Sequence, residues 1–130
     1  MIDVYFAQIE KSIQDFPSIR SYTLSKKVYN IKQGFINGTL VFEDNSQLEF
    51  IEVKNTDIPE KIKYRYHYMD KEQNMLFRYD NAPHHGHLST FPHHKHCPTE
   101  VQEHDEPTLY EVLLEIAQFF LYHYFSEKSL

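Results

Sequence analysis

The residues able to do chemistry are concentrated in one stretch of the chain. Seven of the nine histidines fall between Tyr64 and Cys97, interleaved with arginines and tyrosines. The stretch opens with Tyr64-Arg65-Tyr66-His67-Tyr68-Met69-Asp70. It continues through Phe77-Arg78-Tyr79-Asp80-Asn81-Ala82-Pro83-His84-His85-Gly86-His87 and closes on Thr90-Phe91-Pro92-His93-His94-Lys95-His96-Cys97. Imidazole both takes and gives protons near neutral pH, and it is a common metal ligand. Residue types alone therefore leave three chemistries open: proton transfer, metal binding and nucleic-acid contact.

The first constellation is Arg65, His67, Arg78 and Asp80. Cleavage of RNA through its own 2′-hydroxyl needs a base, an acid for the leaving oxygen and cations for the charge on phosphorus. Histidine suits the first two tasks, and arginine suits the third through charge-assisted hydrogen bonds. The plain structural alternative is a cross-strand Arg65–Asp80 ion pair with His67 as a polar surface residue. The second constellation is the histidine loop, where His93, His94 and His96 flank Lys95. Pro83 and Pro92 restrict the backbone there, which lowers the entropy cost of placing a catalytic group. His84, His85, Lys95 and His96, with Tyr66 and Tyr79 packed beneath, are the expected substrate-contacting set. The plain alternative for the loop is a solvated, histidine-rich connection.

Metal binding is the third reading. His85-x-His87 and His94-x-His96, with Cys97, offer ligands for zinc or copper. Their spacing fits neither a Cys/His zinc finger nor a helical His-Glu-x-x-His site, so no metal ligand and no cofactor are assigned from spacing. Cys97 next to His96 does not by itself make an activated thiol. There is no glycine-rich phosphate loop and no serine-centred nucleophile elbow.

These residues need elements to hold them. A chain of 130 residues reads most simply as one domain, residues 1–130. One cysteine excludes an internal disulfide and points to a reducing compartment, so a cytoplasmic location is expected. No charged n-region followed by an apolar stretch opens the chain. The most apolar run, residues 119–125, is far shorter than the ~20 residues of a bilayer-spanning helix. The net charge of −6 is uneven: residues 61–96 hold six Lys/Arg against three Asp/Glu, while the remainder holds seven against sixteen. The overall acidity disfavours indiscriminate coating of nucleic acid, but the local basic region could engage a phosphate backbone.

Ile2, Phe6, Ile9, Ile13 and Phe16 recur at helical spacing, and Pro17 ends that helix. Strands are predicted over Tyr22–Ile31, Gly34–Phe42, Leu48–Val53, Lys61–Asp70 and Met75–Asn81. In the second hairpin Asn45 is placed in a left-handed turn, with Phe42 facing Leu48 and Leu40 facing Phe50. In the last hairpin, Lys71-Glu72-Gln73-Asn74 is the loop and Asp70 pairs with Met75. That register sets Tyr68 opposite Phe77, Tyr66 opposite Tyr79, His67 opposite Arg78 and Arg65 opposite Asp80. Aromatics then share one face, and charged groups share the other.

Residues 82–107 read as a loop, punctuated by Pro83, Gly86, Pro92, Pro98 and Pro107. Thr108-Leu109-Tyr110-Glu111 has the capping-box pattern that starts a helix. The helix is apolar nearly all round from Phe119 onward, which predicts burial in the core, self-association as a homodimer or docking of a partner protein on residues 119–125. The expected fold is α+β: an N-terminal helix, a five-stranded antiparallel meander forming a curved sheet, a histidine-rich loop and a C-terminal helix packed on the sheet.

The runs Arg78-Tyr79-Asp80-Asn81-Ala82-Pro83-His84-His85 and Phe91-Pro92-His93-His94-Lys95-His96 resemble the TumE family of toxin–antitoxin proteins. The strand Tyr64–Asp70, the segment Gly34-Phe35-Ile36-Asn37-Gly38 and the segment Leu48-Glu49-Phe50 are also similar, over roughly residues 20–116. The resemblance implies a toxin encoded beside a helix-turn-helix antitoxin, with RNA or the translation machinery as target. The expected activity is that of a metal-independent endoribonuclease. Arg65 and Arg78 would be the cations, His67 with His93 or His94 the base and acid, and Asp80 the orienting group. An RNA- or ribosome-binding module without catalysis, and a histidine-rich metal-binding protein, are the alternatives.

Overall fold

The structure, a computed structural model, describes the backbone of residues 1–128 and side chains as far as Tyr122. Helix α1 spans Ile2–Asp15 and buries Ile2, Phe6, Ile9 and Ile13. It stops at Phe16, whose extended backbone is the conformation that a following proline favours. Seven strands follow: β1 Ile19–Val28, β2 Gln33–Phe42, β3 Gln47–Asn55, β4 Lys63–Met69, β5 Met75–Asp80, β6 His94–Cys97 and β7 Glu100–Glu103. Helix α2, Leu109–Lys128, closes the described chain. The strands form one antiparallel sheet in chain order, β1 to β7.

The α+β plan holds, with seven strands where five were expected. The two extra strands lie inside the segment read as a loop. Each is only four residues long. Both are too short and too polar to show the apolar alternation that marks a half-buried strand.

Both helices cover one face of the sheet. Leu40, Phe42, Leu48, Phe50, Tyr66, Tyr68 and Phe77 from the strands pack there with Phe6, Ile13, Leu113 and Ile116 from the helices. Phe119 reaches Tyr68 and Phe77, and Phe120 reaches Phe42. The start of the apolar tail is therefore partly packed into this chain's own core. Leu121 is exposed, and the side chains of residues 123–125 lie outside the described residues. The capping box forms as expected: the Glu111 amide donates to Thr108 Oγ1 at 3.1 Å, and the Thr108 amide donates to Glu111 Oε1 at 3.2 Å.

In the β2–β3 hairpin Asn45 is left-handed, with φ of 67°. The pairing is Leu40 with Leu48 and Gly38 with Phe50, two residues away from the expected register. A slip of two preserves the faces, so the core composition is unaffected. Gly38 is required at that pairing, because a Cβ would stand 2.5 Å from the Thr23 carbonyl oxygen. In the β4–β5 hairpin the four expected pairs from Arg65–Asp80 to Tyr68–Phe77 all form. The turn end differs: a bulge after Tyr68 pairs Met69 with Met75, and Gln73 takes the left-handed position. Asp70 then pairs with Asn74 through its amide, at 2.9 Å from the Asn74 carbonyl oxygen. No described helix is long and apolar enough to cross a membrane.

Candidate functional site

The sheet face away from the helices carries two parallel rows of side chains. One row crosses the strands as Glu49, His67, Arg78, His96 and Val101. The adjacent row is Ile51, Arg65, Asp80, His94 and Glu103. Neighbouring strands lie roughly 4.8 Å apart, so these groups form a contiguous patch. The β6 pairing creates it by setting His96 beside Arg78 and His94 beside Asp80.

Asp80 is the centre of the patch and is 4% exposed. Its Oδ2 accepts from Arg78 Nε at 3.1 Å, and its Oδ1 accepts from the Ala82 amide at 3.0 Å. His94 Nε2 lies 2.9 Å from Asp80 Oδ1, and His96 Nε2 lies 3.5 Å from Asp80 Oδ2. The two Nε2 atoms stand 3.0 Å apart. His85 completes the group from the loop. Its backbone is left-handed, with φ of 58°, a conformation uncommon outside glycine. Its ring centroid lies 5.1 Å from that of His94 and 5.7 Å from that of His96. One nitrogen from each of His85, His94 and His96 falls within 4.8 Å of the other two, so this trio is the one able to hold a metal ion among the described residues.

His67 is half-buried between Arg65, Arg78 and Glu49. Burial lowers its pKa first and the Arg78 charge lowers it further, against the pull of Glu49. Its Nδ1 is buried with no partner among the described residues. The His96 pKa is also lowered, by burial first, with the Asp80 charge opposing.

Arg65 is exposed and lines two clefts on this face. One, of about 420 Å³, also touches Lys63, Arg78, Asp80, Asn81 and Pro83. The other, of about 320 Å³, runs over Thr23, Ser25, Asn37, Thr39 and Glu49. Together they form a trough lined by both polar and apolar groups, among them Leu24, Ile51 and Ile62, with Arg65 at the junction.

Other expected site residues go elsewhere. Lys95 points to the helix side, where its Nζ donates to Glu115 Oε2 of α2 at 2.8 Å and sits over the Phe77 and Tyr79 rings. His93 stacks on Tyr64, a core residue, with Nδ1 2.9 Å from the Tyr64 hydroxyl. Tyr66 donates to the buried Glu52 at 2.6 Å and Tyr79 donates to Glu115 at 2.6 Å, both on the helix face. His84 and His87 are exposed in the loop. Thus Arg65, His67, Arg78, Asp80, His85, His94 and His96 share the open face, while His93, Lys95, Tyr66 and Tyr79 do not.

Two further groups went unnoticed in the sequence. Glu49 stands opposite His67, and strand alternation in Leu48–Val53 was sufficient to put it on that face. Asn81 accepts from the Tyr64 amide at 3.0 Å and donates to the Ile62 carbonyl at 3.2 Å, fixing the exit of β5. No local pattern marks that role.

No curated protein and no solved structure matches the chain. A family model described as Toxin TumE matches residues 9–121, which takes in α1 from Ile9, all seven strands and most of α2. The chain therefore belongs to the TumE toxin family.

Proposed function

We propose that this chain is the toxin of a toxin–antitoxin pair and that it acts on RNA through the open face of β4–β6. The observation that supports this reading is the trough with Arg65 at its junction, flanked by Arg78 and Lys63, beside a histidine kept neutral by its surroundings. Cations on an uncovered, polar surface meet a phosphate backbone without disturbing the core. A neutral imidazole between them can take the 2′-hydroxyl proton. The 2′-oxygen then bonds to phosphorus, Arg65 and Arg78 balance the charge on its oxygens, and the 5′-oxygen leaves with a proton from solvent. Asp80 holds Arg78 in place through Nε. The neutralising partner in this reading is a helix-turn-helix antitoxin.

A second reading, RNA or ribosome binding without cleavage, is favoured by a specific observation. His94 is 1% exposed and its Nε2 faces Asp80 and His96, so it offers no proton to a bound strand.

Incubation of the purified chain with end-labelled single-stranded RNA tests both. Fragments ending in 2′,3′-cyclic phosphate, lost in Arg65→Ala and His67→Ala, are expected. Intact RNA retained in a salt-dependent complex would replace cleavage with binding. Neither cleavage nor binding would reject RNA as the target.

A further inference from the structure

The cluster around Asp80 holds more lone pairs than its hydrogen atoms can satisfy. A carbonyl oxygen only accepts, so the 2.8 Å contact of His94 Nδ1 with the Pro92 carbonyl puts a proton on Nδ1. In neutral His94 the Nε2 lone pair then points at the Asp80 Oδ1 lone pair across 2.9 Å. The same Nε2 lies 3.0 Å from His96 Nε2. A cation set between these atoms would meet lone pairs that face one another.

Three features select the ion. The Nδ1–H to backbone carbonyl bond is the outer contact that orients a metal-binding imidazole and fixes its tautomer. Ligand atoms held at 2.0–2.1 Å around tetrahedral zinc lie about 3.3 Å apart, and the 3.0 Å between His94 Nε2 and His96 Nε2 is close to that edge. His85 is turned inward by a left-handed backbone, and its ligand nitrogen falls within 4.8 Å of those of His94 and His96. Three imidazoles suit zinc and its late first-row neighbours rather than calcium or magnesium, which prefer all-oxygen sites.

We propose that His85, His94 and His96 form a site for one zinc ion. The ion ties the loop that carries His85 to β6. The proposal does not depend on RNA being the target.

The test is zinc binding by the full chain after dialysis against a chelator, read as zinc per chain and as affinity. One equivalent is expected for the wild type, with a rise in melting temperature on loading. His85→Ala and His96→Ala, both at partly exposed positions, are expected to fold with the metal-free wild type's circular dichroism. They should bind zinc at least about 10-fold more weakly. The His84→Ala/His87→Ala double variant should bind as the wild type does. Failure of the wild type to take up zinc would overturn the proposal. Undiminished binding in a His85→Ala/His96→Ala double variant, or loss only in the His84→Ala/His87→Ala variant, would also overturn it.

Discussion

Asp80 on β5 and His94 on β6 face one another across the strand ladder, with 2.9 Å between Oδ1 and Nε2 and with both side chains almost wholly buried. The pair joins a six-residue hairpin strand to a four-residue strand that has little apolar contact of its own. Removing one partner leaves the other's charge or lone pair in the interior. Asp80→Ala should therefore lower stability by about 3–5 kcal/mol, the cost typical of breaking a buried pair. It also removes the acceptor of the Ala82 amide and frees Arg78. Chemical denaturation measures the loss. A change below about 1 kcal/mol, the range of an exposed pair, would mean that water reaches the site.

The helix face carries a second network, built from tyrosines. Tyr66 and Tyr5 both donate to the buried carboxylate of Glu52, and Tyr79 donates to Glu115. Burial raises the pKa of Tyr5, Tyr64, Tyr66, Tyr68 and Tyr79, and Tyr68 is pushed up to about 12. A phenol whose pKa is higher folded than unfolded stabilises the fold below its unfolded value near 10, and that contribution is lost as pH rises past it. In an alkaline titration followed by tyrosinate absorbance, these five of the ten tyrosines should ionise only together with unfolding. A single smooth titration of all ten, complete before circular dichroism changes, would show that they are solvated.

The β4–β5 hairpin was legible because bulky aromatics alternate with charges along both strands, and only one parity buries them. That parity located Arg65, His67, Arg78 and Asp80 on one face. Strands β6 and β7 were not legible. His94-Lys95-His96-Cys97 has no apolar alternation, and its pairing depends on the ladder with β5 and on the groups around Asp80. Missing that strand merged residues of opposite orientation into one set. Once β6 is a strand, its period of two separates His94 and His96 from Lys95. The inward turn of His85 depends on tertiary contact and has no signature in composition.

That separation makes opposite predictions for two cations. Lys95 pairs with Glu115 and covers aromatic rings, with its side chain 17% exposed. Lys95→Ala should lower stability by about 1 kcal/mol through the lost ion pair and ring contact, and leave RNA affinity at its wild-type salt dependence. Arg65 has no such partner role in the core and stands on the open trough. Arg65→Ala should leave stability within about 0.5 kcal/mol and reduce the slope of log affinity against log salt by about 0.7 for single-stranded RNA. Binding isotherms at several salt concentrations, with melting curves of both variants, decide the matter. The reverse pattern would place the RNA surface on the helix side.

His67 gives the pH test. Burial and the Arg78 charge hold its folded pKa below the ordinary 6.5, so the unfolded chain binds the proton more readily. The stability contributed by keeping this imidazole neutral is complete above pH 6.5 and is lost as pH falls toward the lower folded value. His67→Leu removes the titrating group and the unpartnered buried Nδ1 while keeping much of the volume. At about pH 8 the variant should match the wild type to within about 1 kcal/mol. At about pH 5.5, where the unfolded wild-type imidazole is protonated, the variant should be the more stable of the two. The quantity to follow is the difference in unfolding free energy between the two proteins, because the other acidic groups titrate equally in both. A difference that stays constant between those two conditions would show that His67 keeps its unfolded pKa, and the neutral base proposed for RNA cleavage would lose its physical basis.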